Sequence, residues 1–334
     1  MMQEPGVSWE SAIGSSADLM TTPEATRAGF AEQATAKAKL ARPYIERARA
    51  LKAALKMISS VESLLELTEY RESIVAACGL SIKARGHLKA DEETLIRQSL
   101  TLLYEQAAAT CSEDATVTEI EQEFRRQVLY RYLLTAGDTL GGSMRNYIGA
   151  MGSAKLSTAL LEALSAAGHH DVDVTRTGTS KVSRIAWDIR IIVFDRTPKL
   201  KCGDRTVICN NLDVCMLDTT RTADSSGGPI SKEAEKSLLQ EPGNYLACGE
   251  LKGGIDPGGA DEHWKTTLSA LDRVNSDFAQ CGAYTPKLFF VGGAIAAAMA
   301  QELYTRLVRG DYSFAANLTR PYQLQALARW LIAL

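Results

Sequence analysis

The stretch Tyr245-Leu246-Ala247-Cys248-Gly249-Glu250-Leu251-Lys252-Gly253-Gly254-Ile255-Asp256-Pro257-Gly258-Gly259-Ala260-Asp261-Glu262-His263-Trp264-Lys265 decides how the rest of the chain is read. Its opening part, Asn244 to Leu251, is a short apolar run bounded by turn residues, the pattern of a strand. Four glycines and Pro257 then mark a turn, and a helical pattern follows over 261–279. Alternate side chains of a strand share a face, so Glu250 and Lys252 project together while Leu251 points into the core. An acid beside an amine at a strand end suits metal-assisted hydrolysis. The carboxylate holds Mg²⁺, and the amine orients water and neutralises charge growing on a phosphate.

The pair alone says little, because composition gives about two chance matches to (Asp/Glu)-x-Lys in such a chain. The plain alternative is a solvated, salt-bridged strand end. Context favours chemistry. This is the single such match in the sequence, and a strand leads into it. A second run, Asn210-Asn211-Leu212-Asp213-Val214-Cys215-Met216-Leu217, carries an acid at its start. Antiparallel neighbours lie about 5 Å apart, so Asp213 can meet Glu250 across a β-hairpin. Two carboxylates, a carbonyl and waters make an oxygen-rich Mg²⁺ site. Asp218 is the alternative acid, but it sits at the far end of its strand, where a capping role fits.

Working outward, Arg184 to Phe194, Thr206 to Asn210, Leu212 to Leu217 and Lys287 to Gly292 also read as strands. Helices are expected at 143–167, 231–239, 294–309 and 321–334, with the polar segment 219–243 as a surface loop. Upstream the pattern is helical: 24–57, 60–78, Asp91 to Ala109 and Val117 to Leu134. The glycine-rich Gly137-Asp138-Thr139-Leu140-Gly141-Gly142 reads as a bend opening the next helix. The expected organisation is a loose arm over 1–22, an all-helical subdomain over 23–136 and an α/β domain over 137–334 with a mixed central sheet flanked by helices.

Composition narrows the class. The chain has 334 residues, 46% hydrophobic and 23% charged, which excludes a disordered or fibrous protein. No apolar stretch approaches the ~20 residues of a membrane helix, and no secretory signal is visible, so a cytoplasmic protein is expected. The net charge of -3 does not mark a nucleic-acid binder, although a local cleft can be positive on an acidic protein. Seven cysteines without a CxxC pair read as free thiols. His169 and His170 are adjacent, which does not suit zinc.

The residues now carry a resemblance. Asp213, Glu250 and Lys252 on paired strands resemble the core of the PD-(D/E)xK nucleases. The run Glu250 to Thr266 (ELKGGIDPGGADEHWKT) resembles, more narrowly, type II restriction endonucleases of the AvaI/BsoBI and XcyI/Cfr9I kind. The strand from Asn210 to Asp213 and the segment Gly137 to Asn146 are similar to parts of such enzymes, so the likeness covers about 137–294. One departure is Leu212-Asp213, where the family pattern has Pro-Asp.

The resemblance implies a restriction-endonuclease-like fold and Mg²⁺-dependent hydrolysis of double-stranded DNA. Asp213 and Glu250 would hold the metal, completed by the Leu251 carbonyl, with Lys252 positioning the water. His263 would serve as general base, with an ordinary pKa of about 6.5 suited to neutral pH; the plain alternative is a structural histidine beside Trp264. Asp261 reads as the cap of that helix. The Gly137 to Asn146 segment lacks Gly-Lys-Ser/Thr and is no nucleotide P-loop. Arg145, Asn146, Lys155, Lys181 and Lys265 are the DNA-contact candidates, against solvated-surface roles. A homodimer cutting a palindrome such as CYCGRG or CCCGGG to leave four-base 5′ overhangs is implied, with a cognate DNA methyltransferase in the same restriction-modification system. Two other readings are a repair or structure-specific nuclease of the same core and a DNA-binding protein with a decayed site.

Overall fold

In this computed structural model the described residues are 8–80, 87, 91–178, 181–220, 230–282 and 284–334; Asp261 and His263 are described in backbone only. The chain divides into two compact units, one of residues 1–31 with 147–334 and one of residues 32–146. Both divisions fall inside long helices, Pro23–Ala54 and Val117–Ala166.

Among the described residues the first unit has nine strands: β1 (Val172–Thr177), β2 (Lys181–Trp187), β3 (Arg190–Arg196), β4 (Lys199–Cys202), β5 (Arg205–Ile208), β6 (Leu212–Asp218), β7 (Tyr245–Lys252), β8 (Lys287–Gly292) and β9 (Phe314–Asn317). Seven of them form one sheet in the order β1-β2-β3-β6-β7-β8-β9, and β4 with β5 makes a separate ribbon. Pairing is antiparallel from β1 to β7 and parallel from β7 to β9. The sheet is therefore mixed, in agreement with the α/β reading.

Both faces are covered, which explains why the central strands are apolar runs rather than alternating ones. On one face Cys215, Leu217, Cys248 and Phe290 pack under Trp264, Leu271, Val274 and Phe278 of helix Ala260–Gln280 and under Met299, Leu303 and Leu307 of helix Ala297–Arg309. On the other, Val214, Met216, Ala247 and Phe289 pack under Leu156, Leu160 and Leu164 of helix Val117–Ala166 and under Leu327 and Leu331 of helix Pro321–Ile332. Gly249 sits on β7 where a Cβ would lie 2.2 Å from the Phe289 ring. Gly249→Ala is expected to destabilise the protein by about 1–3 kcal/mol, the usual cost of overpacking a core. Urea denaturation reads this, and an unchanged midpoint would show that the ring yields freely.

Four expectations need correction. The first concerns the loose arm, because residues 8–22 are built into the first unit. Ile13 and Leu19 are core residues, Asn317 Nδ2 donates to the Leu19 carbonyl at 2.8 Å, and Gln323 Nε2 donates to the Asp18 carbonyl at 2.8 Å. The elements there, Trp9–Ser11 and Ser16–Leu19, are too short to leave a period in the sequence.

Second, Gly137 to Asn146 is no bend; it lies within the continuous helix Val117–Ala166. Mid-helix glycine costs only about 1 kcal/mol, and buried Phe124, Val128 and Tyr132 before it and Leu156, Leu160 and Leu164 after it hold the helix on course. Third, the run 184–194 is two strands. Trp187 pairs with Arg190 across a two-residue turn whose first residue, Asp188, has φ 42°, the twist that hairpins favour. Fourth, Cys202 and Cys281 form a disulfide with Cα atoms 4.8 Å apart, so not all thiols are free. A partner 79 positions away leaves no local spacing signal.

Candidate active site

β6 and β7 are antiparallel neighbours with Val214 opposite Gly249 and Cys215 opposite Cys248. One step beyond that register brings Asp213 to Glu250. The chain joining these strands includes helix Lys232–Gln240, close to the helix expected at 231–239, and the two acids meet across the antiparallel pair as expected. Asp213 Oδ2 accepts from the Leu251 backbone N–H at 2.8 Å and from Lys252 Nζ at 3.1 Å. The same ammonium donates to Glu250 Oε2 at 2.6 Å. Lys252 therefore ties both carboxylates together, and the Leu251 amide fixes the orientation of Asp213.

The electrostatics are unusual for a core position. Glu250 is 3% exposed, and its Oε1 is buried without a hydrogen-bond partner. Burial, followed by the neighbouring Asp213 charge, pushes its carboxyl up to about 7 against the opposing pull of Lys252. Burial alone would lower the Lys252 ammonium, but Glu250 and Asp213 outweigh that and raise it. With all three ionised the cluster carries one uncompensated negative charge, in a place where such a charge is costly.

A hard divalent cation fits this deficit. The orphan Oε1 and the Asp213 carboxylate are oxygen donors of the kind Mg²⁺ takes, and Mg²⁺ is commonly held by one or two carboxylates plus waters and phosphates. Among the described residues no group of three or more His, Cys, Asp or Glu is placed to hold a metal ion.

The turn after Lys252 is clamped. A Cβ on Gly253 would stand 2.5 Å from the Ile148 carbonyl oxygen, and one on Gly152 would stand 2.8 Å from Leu251 Cδ2 and 3.1 Å from Gly253 Cα. Gly293 N–H donates to the Lys252 carbonyl at 2.8 Å from the other side. These close backbone approaches link residues far apart in sequence, and the sequence reading did not find them.

The other candidates are placed as follows. Helix Ala260–Gln280, which carries His263 and the exposed Lys265, covers the face of the sheet on which Glu250 lies. Trp264 anchors its first turns by donating from Nε1 to Glu302 Oε2 at 2.7 Å and by packing edge-on against Phe290, which is paired with Glu250. The side chains of His263 and Asp261 lie outside the described residues. The helix N-cap is Gly259, not Asp261; Asp256 caps the preceding turn by accepting from Gly258 N–H at 2.9 Å.

Asp218 pairs with Arg190 at the opposite end of β6 and accepts from Thr220 N–H at 2.8 Å, a local turn role. Lys181 begins β2, two strands from β6, and is ion-paired with Asp195. Lys155 is exposed on the helix covering the other face of the sheet. Arg145 and Asn146 are exposed in the last turn of the second unit, in mid-helix rather than opening one.

With this geometry in view, a family model described as restriction endonuclease BsobI matches residues 9–334. The chain belongs to the BsobI restriction endonuclease family. It is similar to type II restriction enzyme AvaI of Nostoc sp. (strain PCC 7120 / SAG 25.82 / UTEX 2576), 35% identical over 332 residues covering 96% of this chain and 98% of that one. Type II restriction enzyme BsoBI of Geobacillus stearothermophilus is 35% identical over 337 residues, 97% of this chain and 98% of its own. The match thus extends over the helical residues upstream of Gly137, which lie outside the 137–294 likeness seen in the sequence motifs.

Proposed function

We propose that this restriction endonuclease is a type II site-specific deoxyribonuclease that hydrolyses double-stranded DNA with Mg²⁺. The observation that carries the reading is the Lys252 ammonium bridging Asp213 and Glu250 beside a buried carboxylate oxygen without a partner. Asp213 and Glu250 would hold the metal, and the Leu251 carbonyl would complete the protein's share. When bound, the ion polarises the phosphate and acidifies bound water. Lys252 holds the attacking water by hydrogen bonding and offsets the charge that grows on the phosphate. His263 would take one proton from that water as its oxygen bonds to phosphorus; the P–O bond to the leaving sugar oxygen breaks, and that oxygen takes a proton from solvent water.

A two-fold homodimer would match a palindrome and cut one strand per subunit. A C/G-rich six-base site, CCCGGG or CYCGRG, cut to leave four-base 5′ overhangs, is the specificity proposed by analogy with the family. Arg145, Asn146, Lys155 and Lys265 remain candidates for holding DNA. Lys181 would first have to leave Asp195. Residues 23–136 would embrace DNA or support the dimer, and 137–334 would carry the catalysis. A cognate methyltransferase would protect the host DNA in the cytoplasm. No helix among the described residues is long and apolar enough to cross a membrane.

One digest of a fully sequenced plasmid with Mg²⁺, followed by mapping of the ends, tests the reading. Discrete fragments with 5′ overhangs at one palindrome are expected; smears or nicks would replace it with a nuclease of another kind. His263→Ala is expected to lower the single-turnover cleavage rate about 100-fold or more, as for loss of a general base. An unchanged rate would remove His263 from the chemistry.

A further inference from the structure

The second unit, residues 32–146, carries sixteen basic and sixteen acidic residues and is neutral as a whole. Its charges are nevertheless segregated. Residues 37–56 hold seven basic side chains against Glu46 alone, while 91–123 hold nine acidic ones against Arg97 alone.

Lys39, Arg42, Arg49, Lys52 and Lys56 recur at steps of three, seven, three and four. They therefore share one face of helix Pro23–Ala54 and of the turn Leu55–Met57 that continues it. All five are exposed, while Ala48, Leu51 and Leu55 on the opposite stripe are buried in the core of the unit. The row spans about 26 Å at 1.5 Å per residue.

A solubilising face alternates its signs and gains from pairs four residues apart. This one does the reverse. Among the described residues, Lys39, Arg49, Lys52 and Lys56 have no ion-pair partner, and the single acid, Glu46, is taken by Arg42 at 2.8 Å. Like charges three and four apart each cost about 0.2–0.5 kcal/mol. The helix dipole favours cations in the last turn, which accounts for Lys52 and Lys56. That effect does not reach Lys39, Arg42 or Arg49, further upstream.

We infer that this face is a backbone-tracking surface for duplex DNA, contacting phosphates without reading bases. The inference rests on the nuclease reading and adds to it a surface separate from the cluster of Asp213, Glu250 and Lys252. A row of separate cations over such a length matches a phosphate chain, and their flexible stems reach without fixed geometry.

The test compares the full-length chain with the triple variant Lys39→Gln, Arg49→Gln, Lys52→Gln. Duplex affinity is measured by fluorescence anisotropy in EDTA across a salt series, on a duplex carrying the mapped cleavage site and on one lacking it. Each lost phosphate contact reduces the slope of log affinity against log salt by about 0.9, so a reduction of about 2–3 is expected on both duplexes alike. The single variant Arg49→Gln should remove about one third of that change, which keeps the inference testable should the triple variant lose helicity by circular dichroism.

An unchanged slope overturns the inference. So does an unchanged slope with a smaller sedimenting species, which would make the face an interface between copies of this chain. A wild-type chain that neither binds nor cuts DNA fails the nuclease reading itself; one that cuts while the variants keep its slope fails only this surface.

Discussion

Glu250→Gln should lower the cleavage rate by about a thousandfold or more, the scale of losing a group that organises charge in the transition state. The substitution keeps the shape of a side chain that is 3% exposed, so packing is conserved while the charge is lost. Two consequences separate this outcome from misfolding. Binding to duplex in EDTA should stay within about threefold of wild type, because phosphate contacts elsewhere dominate such binding. The metal-free variant should be at least as stable as wild type, because the carboxylate removed is one of two negative charges held against a single ammonium. Lys252→Ala should abolish cleavage as well, but it strands both acids without their shared partner and should destabilise the protein. A Glu250→Gln enzyme that cleaves within tenfold of wild type would refute the metal-holding role.

A second large effect is thermodynamic. Without metal, the protein should lose stability as pH rises from about 5 to about 8. The Glu250 carboxyl, ordinarily near 4.5, is pushed up to about 7 by burial and by Asp213. The folded state therefore holds this proton more tightly than the unfolded state does. The stabilisation is fully present below the unfolded value and disappears as pH passes through the folded one. The expected loss is roughly 3 kcal/mol, from about 1.4 kcal/mol per pH unit of displacement. Added Mg²⁺ should replace the proton, so the rise in Tm that it causes should grow with pH. Melting curves in EDTA and in Mg²⁺ at several pH values, for wild type and for Glu250→Gln, check this. The variant cancels contributions from other titrating groups, and equal pH slopes in both proteins would refute the linkage.

The segment proposed to carry the catalysis was legible for local reasons. Glu250 and Lys252 sit two apart on a strand and must share a face, and β8 shows the same bounded apolar pattern that marks β7. Other elements escaped for equally local reasons. β9 has four residues and β1 is only partly buried, so neither carries a strong period. The glycines of 137–142 look like punctuation, yet one helix runs through them, with Phe124, Val128 and Tyr132 buried before them and Leu156, Leu160 and Leu164 buried after. The basic face of 39–56 was visible as letters, but its meaning needed two facts from the folded unit: which stripe is buried and where the acids lie.

Local sequence was enough to give the strand pattern that sets Glu250 beside Lys252, the candidate acid at Asp213 and the α/β class. These follow from periodicity and side-chain chemistry within a few residues. Folding in three dimensions was needed for Lys252 to grip both carboxylates, for the Leu251 amide to orient Asp213, for Glu250 Oε1 to be left unpartnered, and for Gly152, Gly253 and Gly293 to lock the following turn. The reason is physical: these contacts join segments up to more than a hundred residues apart, where strand register and helix packing set the distances and no local spacing encodes them.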